Sequence, residues 1–239
     1  GDASGSVSPK TITMDSDKEI TAYFAHITYS VTITSDGNGD VSPTGIQTVN
    51  YGQNLSVSAL DPSRGYRFNQ WIFTDGLTMD NSSSESATVT NIVCDGTSTA
   101  EFEGIPVPSD VICVDSASKS VSSPDGTTWA TAYRDLQDAL AAVTSTRLQL
   151  WVASGTYYPS VSSRDVSFQI PYHASLYAGF AANETTLSQR NWKSNTTILS
   201  GEIGSSGLSD NSSKIIEIAV NDSNILIDGF VVEYASEMG

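Results

Sequence analysis

Three carboxylates on apolar, strand-like runs are the first candidates for chemistry: Glu217, Asp228 and Glu233. Hydrolysis of a glycosidic bond needs two carboxyl groups facing one groove, and the spacing of these three fixes no pairing. Lyase chemistry needs a base near the proton it removes, with calcium-binding carboxylates to stabilise the developing charge. Lys214, Arg190 and Lys193 are available, but none sits in a recognisable pattern, and Asp228-Gly229 also reads as a strand-to-turn corner. Asp36-x-Asn38-x-Asp40 resembles the opening of a calcium loop, with oxygen ligands at alternate positions. The sixth position is Val41 rather than Gly and the twelfth is Gln47 rather than Glu, and the same residues suit a Gly-rich hairpin turn. Tyr66, Trp71, Trp129, Tyr157, Tyr158 and Trp192 offer flat rings on which a pyranose can stack, although Trp71 and Trp129 also suit core packing. His26 and His173 have no partners nearby in sequence and read as structural. No catalytic, cofactor-binding or metal-ligating residue is assigned from these patterns.

Cys94 and Cys113 are compatible with one disulfide or with two separate buried thiols. The absence of a CxxC pair points away from a redox or zinc site. Asn183-Glu-Thr and Asn195-Thr-Thr match the glycosylation acceptor pattern, but 38 Ser and 24 Thr in 239 residues make chance matches common. Acidic residues outnumber basic ones 27 to 11, a formal net charge of −16 shared by both halves of the chain. A phosphate backbone repels such a surface, so nucleic acid is excluded as a general partner. The richest apolar stretch, Ile215 to Val220, is short and interrupted by Glu217, so membrane insertion is excluded too.

The elements that would position these residues are mostly strands. Val31 to Thr34 alternates, Asp36 to Asp40 turns, and Val49, Tyr51, Leu55, Val57 and Ala59 keep a period of two around the Tyr51-Gly52 corner. Asp61 to Gly65 is a further turn before Tyr66, Phe68 and Trp71. Thr21-Ala-Tyr-Phe24 recurs as Thr99-Ala-Glu-Phe102, each preceded by an alternating strand. Residues 1–26 therefore read as the tail of one module, with strands over 7–25, and 27–104 as a complete copy. Two prolines between Ile105 and Pro108 make 105–110 a short, stiff linker. Beyond it, Leu136, Ala139, Leu140 and Val143 predict one helix over Ala132 to Val143. Apolar runs then recur, with Val152, Leu176, Leu199 and Ile218 spaced as if successive coils stacked short strands. The helix would close one end of such a solenoid, and no comparable lid follows Val232.

Both parts resemble known families. Asp36-Gly-Asn-Gly-Asp-Val-Ser-Pro, Val49-Asn-Tyr-Gly, Gly65-Tyr-Arg-Phe-Asn-Gln-Trp71 and Thr99-Ala-Glu-Phe102 resemble the divergent internalin-type B-repeat, a small all-β module of bacterial surface and secreted proteins. Asp125-Gly-Thr-Thr-Trp-Ala-Thr-Ala-Tyr133, Trp151-Val-Ala-Ser-Gly-Thr-Tyr-Tyr-Pro159, Leu176-Tyr-Ala-Gly-Phe180, Arg190-Asn-Trp192 and Leu226-Ile-Asp-Gly-Phe230 resemble the start of the right-handed parallel β-helix of polymorphic outer-membrane-protein-like and pectin-lyase-like surface proteins. The implied fold is mainly β: a small all-β repeat module followed, over 111–239, by a helix-capped right-handed parallel β-helix, a partial solenoid.

These resemblances imply a bacterial extracellular or cell-surface segment with a structural or adhesin-type role and no enzymatic activity or cofactor. Its partner would be a host or environmental glycan or protein. Two alternatives stand beside this expectation. One is a subunit of a head-to-tail filament that self-associates through exposed strand edges. The other is a polysaccharide-binding or polysaccharide-lyase-like protein, since the β-helix family includes such enzymes. Gly1 falls inside a pattern, so the natural N-terminus is expected upstream.

Overall fold

The computed structural model describes residues 5–6, 8–74, 76–119, 121–204, 210–218 and 224–234. The first part folds as two facing four-stranded sheets. One contains β1 (Thr28–Ser35), β3 (Gly45–Asn50), β5 (Tyr66–Phe73) and β8 (Gly96–Gly104), in the order β3-β1-β8-β5. The other contains β2 (Asp40–Ser42), β4 (Leu55–Leu60), β6 (Thr78–Met79) and β7 (Ser86–Thr90), in the order β2-β4-β7-β6. Period-two alternation places Val31, Ile33, Ala100 and Phe102 of the first sheet against Val57, Ala59, Ala87 and Val89 of the second, with Trp71 in the same core. The β1–β8 pair is parallel and every other pair in these two sheets is antiparallel.

Among the described residues, none before Thr28 lies in a strand, which corrects the strands expected over 7–25. Packing explains the difference. Thr99 to Phe102 lies in β8, hydrogen-bonded to β1 on one side and β5 on the other, with Ala100 and Phe102 buried. Its sequence twin Thr21 to Phe24 has neither neighbour, and Tyr23 and Phe24 are 92% and 93% exposed. An isolated strand gains no ladder bonds and buries no apolar face, so the motif alone does not order it.

From Val111 onward every strand pair is parallel. β9 (Val111–Val114), β10 (Gln149–Ala153), β13 (Ser175–Phe180) and β16 (Leu226–Asp228) form one sheet. β11 (Gly155–Tyr157), β14 (Thr197–Ser200) and β17 (Phe230–Glu233) form a second, and β12 (Phe168–Ile170) with β15 (Ile216–Ile218) a third. From β10 the chain visits the three sheets in fixed rotation, and Leu150, Leu176, Leu199, Phe168 and Ile170 meet in one core among them. Val152 and Leu176 share a sheet, but Leu199 and Ile218 lie in the other two, which corrects the spacing expected for successive coils. The true column is Leu150–Leu176–Ile227, because connections of unequal length separate the strands.

The helix is shorter than its periodicity predicts. α1 spans Leu136–Ala141, with Asp135 as N-cap accepting a hydrogen bond from the Gln137 N–H at 2.6 Å. Ala132 is extended, and Tyr133 makes a parallel bridge to Val114, so this stretch covers the outer edge of β9 instead of winding into the helix. Leu136, Ala139 and Leu140 insert into the core at that end. The expectation that no lid follows Val232 concerns residues after Tyr234, which lie outside the described residues.

Segment 105–110 is docked at its start, while Pro106 and residues 108–110 stay exposed. Ile105 is buried with Trp129, Val111, Cys113, Trp151 and Phe180 on the outward face of the β9–β10–β13 sheet. That sheet is therefore covered on both faces, which is why β9 is buried along its whole length.

Candidate functional site

The three candidate carboxylates fall on three different sheets. Glu217 lies on β15, Asp228 ends β16 and Glu233 ends β17. Glu217 is exposed and accepts hydrogen bonds from Gln169 Nε2 (2.8 Å), Ser167 Oγ (3.1 Å) and Lys214 Nζ (3.3 Å). The bonds from Gln169 and then Ser167, with Lys214 adding its charge, hold this carboxyl below the usual glutamate range. Because the folded value is depressed, any stability it contributes is present above the unfolded pKa and is lost as pH falls through the folded one. Side-chain NMR titration is expected to place Glu217 below a free glutamate. Gln169→Ala moves it back up, and an unchanged midpoint in that variant refutes the assignment. Such a stabilised anion is poorly suited to a general acid.

Asp228 pairs with Arg190, whose guanidinium also donates to the Ala178 carbonyl (3.2 Å) and lies over the Tyr177 ring at 5.2 Å. Asp228-Gly229 is the predicted corner: Gly229 has φ +87° and separates β16 in one sheet from β17 in another. Arg190 thus ties β13 to β16. Lys193 sits beside Trp192, with its ammonium 5.4 Å from the ring centroid.

The Asp36–Asp40 segment is a turn but not the expected hairpin, because β1 and β2 lie in different sheets and do not pair; Asp36 and Asn38 already have partners. Asp36 accepts hydrogen bonds from the Asn38 N–H and the Phe102 N–H, both at 2.9 Å. Lys119, from the second half of the chain, places its ammonium 3.0 Å from the Gly37 carbonyl and 3.2 Å from Asn38 Oδ1. A Cβ on Gly39 would fall 2.3 Å from the Phe102 ring, so the glycine there serves packing. No group of three or more His, Cys, Asp or Glu side chains suited to a metal ion occurs among the described residues.

The aromatic candidates divide by burial. Trp71, Trp129 and Tyr157 are core residues, with Trp71 Nε1 donating to the Ser84 carbonyl (3.1 Å) and Trp129 Nε1 to the Glu184 carbonyl (2.8 Å). Burial pushes the Tyr157 phenol up to about 12, and its hydroxyl donates to the Ala153 carbonyl at 3.0 Å. Tyr66 is half-buried under Lys119. Tyr158 and Trp192 are exposed: Tyr158 lines a cleft of about 140 Å³ with Arg134, Asp135 and Val161, and Trp192 is 51% exposed beside Lys193. The six rings therefore do not assemble into one platform. His26 is exposed, and His173 Nδ1 lies 3.3 Å from Asn224 Nδ2.

Cys94 and Cys113 are both free thiols, so they form no disulfide; Cys113 is buried as expected, whereas Cys94 is only half-buried. Burial pushes the Cys113 thiol up, making it a small hydrophobe rather than a nucleophile. Sequence reasoning missed Arg64, Asp115 and Glu184. Asp115 and Glu184 are buried carboxylates, and Arg64 is the partner of Asp115 across 51 residues. Their only sequence signal is a charge beside a turn or strand end.

Residues 29–106 match the family described as the divergent InlB B-repeat domain, a bacterial surface-associated structural or adhesion module. The chain matches no curated protein and no solved structure. No helix among the described residues is long and apolar enough to cross a membrane.

Proposed function

We propose that this chain is a non-enzymatic structural segment of a bacterial extracellular or cell-surface protein, in which a B-repeat carries the capped start of a right-handed parallel β-helix used for display or adhesion. The observation that carries the reading is the join itself. A surface-repeat module at 29–106 runs directly into three all-parallel sheets visited in rotation. The exposed Ala22 and Phe24 match the buried Ala100 and Phe102, which supports residues 1–26 as the tail of a preceding repeat. Antibodies against the β-helix part should label intact cells of the source bacterium, and brief surface proteolysis should remove the epitope. Labelling only after lysis would sink the surface assignment.

A head-to-tail filament is favoured by one observation. Among the described residues β15, β16 and β17 are each paired on one side only, and Leu226, Val231 and Val232 are exposed there. The opposite end is covered by the Gly126 and Tyr133 main chain and by α1, so a head-to-tail filament requires that cover to be displaced. Light scattering across a concentration series distinguishes the two readings, because a strictly monomeric species at high concentration removes the filament.

A further inference from the structure

We propose that the repeat and the parallel-stranded half are locked into one rigid, cooperatively unfolding unit by a clamp whose buried ionic element is Arg64–Asp115. Its first part is backbone. The Ile105 N–H donates to the Gly65 carbonyl (2.8 Å), and the Ile105 carbonyl accepts from the Trp129 N–H (3.0 Å). The hydrogen-bonded ladder of the repeat thus continues past Gly104 into the segment that covers β9. Fit is tight at this point: Gly65 has φ +83°, and a Cβ there would lie 2.7 Å from the Trp129 carbonyl carbon. Any side chain at 65 pushes the halves apart.

The second part is charge. The Asp115 carboxylate is fully buried, receives Arg64 Nε at 2.6 Å and accepts from the Ala117 N–H at 3.1 Å. Arg64 is the only cation paired with it among the described residues, and it comes from the repeat. A buried carboxylate without its cation is strongly unfavourable, so Asp115 holds the turn carrying Arg64 in place. The third part is Lys119, reaching back to the Gly37–Asn38 turn and over Tyr66. These contacts, with the buried Ile105, remove the hinge expected where two domains meet across a small polar interface.

The pair is asymmetric, and this makes the clamp testable. Arg64→Met strands a buried charge. Asp115→Asn leaves a guanidinium that is already 35% exposed and can be hydrated. In the full chain, hydrogen exchange should show Arg64→Met accelerating amides at 61–66 and 111–118 together, by about tenfold or more. Asp115→Asn should be milder, and the double variant should resemble Asp115→Asn rather than the sum of the two. Both halves of the parent chain should melt in one transition. Additive losses, acceleration confined to 61–66, or two separate parental transitions would each overturn the clamp. None of these readouts depends on where the protein resides, so failure here is distinguishable from failure of the surface assignment.

Discussion

Trp129→Ala is expected to destabilise the chain by about 3–5 kcal/mol, the range for truncating a fully buried large aromatic. Trp129 is completely buried, and its ring lies 5.6 Å from Phe180, which itself stacks on Trp151 at 4.8 Å and 12°. Ile105 and Ala182 share the cluster, so the cavity would open where the repeat meets the parallel β9–β10–β13 sheet. The substitution also leaves the Glu184 carbonyl without the indole N–H that satisfies it. Glu184 holds its own loop, accepting from the N–H groups of Ala181 (2.7 Å) and Asn183 (3.1 Å). Trp129→Phe keeps part of the ring contact and loses the bond, so its loss should be intermediate. Trp151 provides the control, because its indole N–H has no acceptor among the described residues. Trp151→Phe removes that unsatisfied donor along with some volume and should lose less than Trp129→Phe. Urea titrations of the three variants beside the parent test this order. A Trp129→Ala midpoint close to the parent's would remove the indole from its structural role.

The same cluster marks where sequence pattern is informative and where it is not. Alternation located the strands of the repeat, since each has one face buried and period two survives in the residues. The parallel half gives less. Strands buried on both faces, such as β9, lose the alternation, and Ile225 to Val232 looks like one run although Gly229 divides it between two sheets. Ala132 and Tyr133 fall within the span predicted as helix yet lie along β9, whose outer edge they cover. Residues 11–24 show strand pattern without strand structure, since sheet partners are non-local and the sequence does not say whether they are present. The candidate sites follow the same rule. Turn chemistry at Asp36–Asp40 was legible from local residues. The coupling of Arg64 to Asp115 was not, because only the fold brings the two together.

That demand for edge cover leads to the second large effect, at Arg147. The outer edge of β9 would otherwise present unpaired main-chain groups. Cys113 donates to the Gly126 carbonyl (3.0 Å) and accepts from the Tyr133 N–H (3.0 Å), while Asp115 donates to the Tyr133 carbonyl (2.8 Å). The Val111 carbonyl remains, and Arg147 satisfies it through both Nε (3.1 Å) and Nη2 (2.6 Å). The same guanidinium bonds the carbonyls of Asp125 (2.9 Å) and Gly126 (3.0 Å), so it pins the covering segment to the strand it covers. Only a planar fork with several fixed donors reaches three carbonyls at once. Arg147→Met keeps the stem, removes all these bonds and leaves the Val111 carbonyl without its guanidinium, with an expected loss of about 2–4 kcal/mol. Arg147→Lys should recover only a minor part, because one ammonium cannot span the set. Displacing this cover exposes a second strand edge at the end opposite β17, which is the condition that the proposed head-to-tail stacking requires. The Met variant is therefore expected to be less stable in urea and also to form larger species in light scattering at concentrations where the parent does not. A destabilised but monodisperse variant would confine Arg147 to holding the fold. Equal assembly by parent and variant would show that the β15–β17 edge alone suffices for association.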